Sequence, residues 1–254
     1  MPYANNNGVK IYYEVEGEGP PLVMLHGFSG SLENWREQGY VESLRKNNTL
    51  ILIDYRPHGR SDKPHGPEDY LVERFVGDVV AVMDDMSVRN AHYIGYSAGG
   101  SIALTLAKMV PRRVKSMILL AASPKRDTHE AVRPFLQAVA ADKYAVIARM
   151  EQAGPLSKAM RNRILNNDYQ ALLAAISLPK PSVEADLPKM TMPFLIVLGE
   201  ADEMVNFQEV RQSYKALPNA TVVTLPDTNH DGIFIHSDLV LPHIKEFLAL
   251  VNKI

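Results

Sequence analysis

At 254 residues, with 46% hydrophobic and 22% charged positions, the chain has the composition of a globular enzyme and not of a disordered tail, a collagen or a coiled coil. Its 27 Lys and Arg stand against 29 Asp and Glu, and a net charge of −2 argues against nucleic acid or an anionic membrane surface as the main partner. Cysteine is absent, which excludes disulfide scaffolds, thiolate metal sites and every cysteine nucleophile.

The first seven residues lack the charged-then-apolar pattern of a secretory signal, and no run approaches the roughly 18 apolar residues of a membrane span, so a soluble, cytoplasmic protein is expected. Val9 to Val15 alternates and predicts a strand that ends at the turn Gly17-Glu18-Gly19-Pro20-Pro21. Leu22 to Leu25, Leu50 to Ile53, Ala91 to Ile94 and Val114 to Leu120 are the short apolar runs of strands buried on both faces. Between them Ser29 to Lys46, Tyr70 to Met86 and Ala98 to Val110 carry apolar residues three and four apart and predict helices, the last stopped by Pro111. This alternation implies an α/β protein with a mostly parallel sheet flanked by helices.

Residues 124–186 have a different texture, with no strand-like run and helical spacing at Phe135, Val139 and from Ile164 through Ile176; turn signals at Gly154-Pro155 and Pro179-Lys180-Pro181 divide and close the segment. Strands resume at Phe194 to Leu198 and Thr221 to Leu225, with helices at Asn206 to Leu217 and Ser237 to Val251. The expected organisation is one core, 1–123 and 187–254, interrupted by a helical cap, 124–186.

Gly95-Tyr96-Ser97-Ala98-Gly99 fits G-x-S-x-G at a strand-to-helix junction, where a sharp turn pushes the central hydroxyl out beside the positive end of a helix dipole. A serine hydroxyl needs a base, and of the eight histidines His230 is best placed, on the loop between the last strand and the last helix. His58 and His65 fall in a polar loop, His92 at the far end of a strand, His129 in the cap, and His236 and His243 at or in the final helix. The base needs an acid to set its tautomer, and Asp202, on the loop one strand earlier, fits best, with Glu200 and Glu203 as neighbouring carboxylates. The loop His26-Gly27-Phe28-Ser29 and the residue after the serine can supply backbone donors to an oxyanion, from Phe28 and Ala98, with His26 bracing the loop and Gly27 permitting its turn.

With these residues in view, the chain resembles the α/β-hydrolase superfamily, in its capped serine esterase and lactonase-like branch, over nearly its whole length. The carrying motifs are His26-Gly27, Gly95-Tyr96-Ser97-Ala98-Gly99-Gly100, Gly199-Glu200-Ala201-Asp202 and Asn229-His230. Asp54-Tyr55-Arg56-Pro57-His58-Gly59-Arg60-Ser61 resembles the family's D-x-R-G-x-G-x-S stretch, with proline at the first glycine position. The resemblance implies an α/β-hydrolase fold and acyl transfer to water through an acyl-enzyme on Ser97, with no metal or organic cofactor. The expected substrate is a small to medium, largely uncharged ester or lactone bound under the cap. Phe28, Tyr96, Phe135, Val139 and Ile147 are candidates for its pocket. Three other readings stay open: a carbon–carbon bond hydrolase using Arg133, Arg149, Arg161 or Arg163 on a substrate acid, a cofactor-free haloperoxidase or perhydrolase, and a small-molecule receptor with a slow triad.

Overall fold

The computed structural model describes residues 3–125 and 132–253, so His129 lies outside the described residues. Eight strands, β1 (Tyr3–Asn6), β2 (Val9–Glu16), β3 (Pro21–Leu25), β4 (Thr49–Asp54), β5 (Ala91–Tyr96), β6 (Val114–Leu120), β7 (Phe194–Gly199) and β8 (Ala220–Leu225), form one sheet. Its order is β1-β2-β4-β3-β5-β6-β7-β8. The pairs β1·β2 and β2·β4 are antiparallel, and all others are parallel.

Helices cover both faces of the sheet, so its central strands are apolar at nearly every position while their side chains still alternate between two cores. Val23, Leu25, Ile51 and Ile53 point to one core, shared with Val79, Val82, Ile102 and Leu106 of helices α3 (Val72–Asp85) and α4 (Ala98–Met109). Leu22, Met24, Leu50 and Leu52 point to the other. There they meet Trp35 of α1 (Glu33–Glu37), Tyr40 and Leu44 of α2 (Tyr40–Leu44), and Ile244 and Phe247 of α11 (Ser237–Val251). The remaining core helices are α9 (Phe207–Tyr214) and the short α10 (Gly232–Ile235).

Two elements differ from the sequence expectation. The segment Ser29 to Lys46 is not one helix: residues 29–32 are loop, and Gly39 at φ +75°, outside the helical region, separates α1 from α2. The strand β1 was not predicted, yet Asn7 and Gly8, at φ +53° and +91°, make the two-residue turn that favours a hairpin, which is a readable signal.

Between β6 and β7 the described chain forms helices α5 (Arg133–Ala141), α6 (Lys143–Ala153), α7 (Lys158–Asn166) and α8 (Tyr169–Ala175). Asp142, Ser157 and Asp168 start the last three by accepting hydrogen bonds from otherwise orphaned backbone N–H groups. These helices share an apolar cluster of their own, built on Leu136, Val139, Ile147, Ile164, Tyr169 and Leu172. Among the described residues no helix is long and apolar enough to cross a membrane.

Candidate active site

Ser97 stands alone between β5 and α4, at φ +49° and ψ −116°. A non-glycine residue there carries strain of order ~1–3 kcal/mol and persists only when its surroundings over-determine it. Here the Ser97 N–H donates to the Leu120 carbonyl at 2.8 Å, tying the turn to the neighbouring strand. The flanking glycines allow the close approach the turn requires. A Cβ at Gly99 would come within 2.2 Å of the Leu25 carbonyl oxygen, and one at Gly95 within 2.6 Å of the Gly100 Cα.

His230 reaches this serine from the loop after β8, with Nε2 at 2.8 Å from Ser97 Oγ. Its Nδ1 lies 2.8 Å from Asp202 Oδ2, so the ring donates to the carboxylate and presents an acceptor to the hydroxyl. Asp202 is itself fixed, since its Oδ1 accepts from the N–H groups of Met204 and Val205 at 2.8 and 3.0 Å. The two loops lock together because Gly199 lacks a side chain: a Cβ there would sit 2.1 Å from the Thr228 carbonyl oxygen, which accepts the Ala201 N–H at 3.1 Å. Glu200 and Glu203 are exposed, and the carboxylate on His230 Nδ1 is that of Asp202.

The loop after β3 lies against the same serine. Gly27 has no positive φ, so it is not needed for a turn; a Cβ there would fall 2.7 Å from the Tyr96 ring and 3.8 Å from Ser97 Cβ, so proximity explains it. His26 is fully buried, stacked on Tyr55 at 4.5 Å, and its Nδ1 donates to the Gly27 carbonyl at 2.7 Å. Burial holds its protonation below the ordinary histidine range, as it does more strongly for His58. His58, expected in a polar loop, is buried between Tyr55, His26 and Phe28, because its Nε2 accepts the Ser29 N–H at 3.0 Å while its Nδ1 meets the Tyr55 carbonyl at 3.1 Å. Ser29 is also left-handed, at φ +58°.

The Asp54 to Ser61 segment braces this region. Asp54 accepts the N–H groups of Leu32 and Arg60, and the Arg56 guanidinium pairs with Asp78 at 2.6 Å with both side chains buried. Ala98 opens α4, so its N–H lies in the first turn, where a helix has no internal acceptor.

Beside Ser97 lies a cleft of about 450 Å³, walled by Gly27, Phe28, Tyr96 and Phe234 of the core and by Phe135, Leu156, Met160 and Ile164 of the inserted helices. Of the pocket candidates, Phe28, Tyr96 and Phe135 line this cleft. Val139 and Ile147 do not line this cleft: both are buried inside the apolar cluster of α5–α8, because their positions face the neighbouring helices. Met160 and Ile164 share one face of α7, a four-residue spacing readable in the sequence, and Leu156 precedes that helix at the same interval, whereas Phe234 and Asp231 carry no such signal. The Tyr96 hydroxyl donates to Asp231 at 3.0 Å, and burial beside that carboxylate raises the phenol well above its ordinary range, so it stays protonated. Of the four arginines that the sequence offers for a substrate acid, Arg163 lines the cleft but is bound to Glu37 at 2.7 Å, Arg161 pairs with Glu151, Arg133 donates to the Ile176 carbonyl, and Arg149 is exposed. Among the described residues no group of three His, Asp or Glu side chains could hold a metal ion.

A family profile described as the alpha/beta hydrolase fold matches residues 20–154, more than half the chain. The chain belongs to the α/β-hydrolase family. A non-heme chloroperoxidase of Streptomyces lividans is 26% identical over 96% of this chain and 97% of its own. The enol-lactonase of Burkholderia xenovorans LB400 superimposes with a TM-score of 0.83 at 25% identity, covering 98% of this chain and 100% of that one. Est816, described as an N-acyl homoserine lactone degrading enzyme, superimposes with a TM-score of 0.77 at 27% identity over 97% and 100% of the two chains. In α/β hydrolases a strained strand-to-helix turn of this kind is the nucleophile elbow, with the acid and the histidine following in chain order. Here Asp202 and His230 follow Ser97 in that order.

Proposed function

We propose that this α/β hydrolase cleaves a small to medium, largely uncharged carboxylic ester or lactone through an acyl-enzyme on Ser97. The observation that carries the reading is the continuous hydrogen-bond path from Asp202 through His230 to Ser97, two links of 2.8 Å each, at a strained elbow beside the cleft. Ser97 Oγ attacks the carbonyl carbon as His230 Nε2 takes its proton, and Asp202 stabilises the imidazolium so formed. The carbonyl electron pair moves onto oxygen, and the N–H groups of Phe28 and Ala98 are assigned to that oxyanion. When the carbonyl re-forms, the alcohol leaves with the proton from His230; for a lactone it remains tethered to the acyl group. Water then attacks the acyl-enzyme by the same route and releases the acid and a free Ser97.

The cleft supports an uncharged substrate. Its walls include Phe28, Tyr96, Phe135 and Ile164, its arginine is already neutralised by Glu37, and its Asp231 carboxylate accepts the Tyr96 hydroxyl. That pairing weighs against a carbon–carbon bond hydrolase that uses an insertion arginine to hold a substrate acid. The similarity to an enol-lactonase and to an N-acyl homoserine lactone degrading enzyme supports including lactones. The inserted helices, in this reading, are the lid that selects substrate.

A panel of p-nitrophenyl esters, lactones and ring-cleavage diketones at matched concentration tests the proposal. Short esters and lactones are expected to turn over many times, and Ser97→Ala to abolish turnover with the fold intact. Undiminished turnover in Ser97→Ala, or turnover of the diketones alone, overturns it.

A further inference from the structure

Among the described residues, one side-chain hydrogen bond ties the inserted helices to the backbone of the loop that carries Phe28. Asn167, between α7 and α8, donates from Nδ2 to the Ser29 carbonyl at 2.9 Å. That carbonyl and the Gly30 N–H are the two ends of one planar peptide, pointing in opposite directions. The Gly30 N–H donates in turn to the Gly27 carbonyl at 3.2 Å. The Gly27 carbonyl is one end of the next peptide in the chain of bonds, and its other end is the Phe28 N–H. Two hydrogen bonds and two peptide planes thus run head to tail from Asn167 to the Phe28 donor, every dipole aligned. Aligned hydrogen bonds polarise one another, by about 10–30% per bond, and each plane they tie loses freedom to rotate. His58 holds the intervening Ser29 N–H, and His26 Nδ1 adds a second donor to the Gly27 carbonyl.

We infer that Asn167 is a positioning residue for catalysis, which sets and polarises the Phe28 N–H through the Ser29 and Gly27 carbonyls and so couples the seating of the inserted helices to oxyanion stabilisation. The inference rests on the serine-hydrolase reading of Ser97. The Phe28 side chain follows the same division, packing against both the core cluster and the apolar cluster of the insertion. The adjacent Asp168 makes a separate tie to the core, to His65 Nε2 at 2.9 Å, without touching the Phe28 loop. That pair separates anchoring of the helices from the relay.

The test compares Asn167→Ala, the near-isosteric Asn167→Asp, which accepts but cannot donate, and His65→Ala. It uses a p-nitrophenyl ester and a trifluoromethyl ketone, to which Ser97 Oγ adds to leave an oxyanion in the same site. Both Asn167 variants are expected to lower kcat about 5–20-fold. Their ketone affinity should fall in proportion, with KM within about twofold, while His65→Ala keeps kcat within about twofold. If Asn167→Ala does not fold, Asn167→Asp keeps the side-chain volume and the question. Wild-type kcat in the Asn167 variants, a loss confined to KM, or an equal loss in His65→Ala overturns the relay. A wild-type protein that hydrolyses nothing overturns the serine-hydrolase reading, and the relay with it.

Discussion

The sheet edge at Ser97 and the four inserted helices are held by different kinds of contact. At the edge, Ser97 and Asp202 are held by backbone groups, and the His230 ring by the Asp202 carboxylate. Ser97 is tied by its N–H to Leu120, and Asp202 by the N–H groups of Met204 and Val205, while Gly95, Gly99 and Gly199 let main chains approach closer than any side chain allows. The helices instead share an apolar cluster and meet the core through side chains, Arg163 to Glu37, Asn167 to Ser29 and Asp168 to His65. Backbone bonds inside a buried sheet leave little room for adjustment, as chemistry needing sub-ångström placement requires. Side-chain ties between the helices and the core can be exchanged singly, without disturbing the packing of either.

Five substitutions or conditions probe this contrast. The largest effect is expected at Ser97→Ala, which should lower kcat/KM by about 10⁴–10⁶-fold while thermal unfolding stays at or above the wild-type temperature, since only a hydroxyl is removed. A large drop in melting temperature would mean that the elbow is held by its side chain and not by its backbone. Asp78→Ala should cost ~3–5 kcal/mol in denaturant unfolding, because it strands the buried Arg56 charge. A cost under ~1 kcal/mol would show that the Asp54 to Ser61 brace is dispensable.

Ile147→Ala should cost ~2–4 kcal/mol, felt in the helical insertion and raising KM more than it lowers kcat. An equal fall in kcat would mean that the insertion's packing reaches the chemistry broadly and not through one contact. Acid should then loosen the core. Burial lowers the affinity of His26, His58 and His92 for protons below the ordinary histidine value of 6.5. As pH drops through that value the unfolded chain takes up protons at these rings and the folded chain does not. Stability is therefore full above about 6.5 and falls below it. Melting temperature measured from neutral into mildly acid solution should decline, with a shallower slope in His92→Gln, and a flat profile would contradict the buried neutral rings. The smallest effect belongs to Phe135→Ala on the partly exposed wall of the cleft, about 1 kcal/mol and so roughly fivefold in KM for an aromatic ester, with kcat unchanged.

Much of the edge was legible from one sequence because its constraints are local. Gly95 to Gly99 sits where a buried apolar run meets a helical pattern, and a turn that sharp demands glycines at set offsets from the serine. Asp202 and His230 follow from the same rule, since residues that end successive parallel strands arrive at one edge. The Asn7-Gly8 hairpin turn was equally local but carried no weight beside the stronger run at Val9. Gly27 was noticed for a plausible but mistaken reason, because its neighbour Tyr96 lies far away in the chain. The burial of His58 was hidden in the same way, as its partners Ser29 and Phe28 belong to another loop.

Periodicity found the inserted helices but not which of their faces turn toward Ser97, and so it could not separate Phe135, on the cleft, from Val139 and Ile147, inside the helical cluster. The sequence by itself determined the fold family, the elbow and the order of Ser97, Asp202 and His230, because these follow from backbone patterns spanning a few residues and from strand order. Only the tertiary structure decided what walls the cleft and what steadies the Phe28 loop. The tie from Asn167 to Ser29 joins residues 138 apart, and its existence depends on how a separately packed group of helices docks on the core, a sum of many weak contacts that no short stretch of chain records.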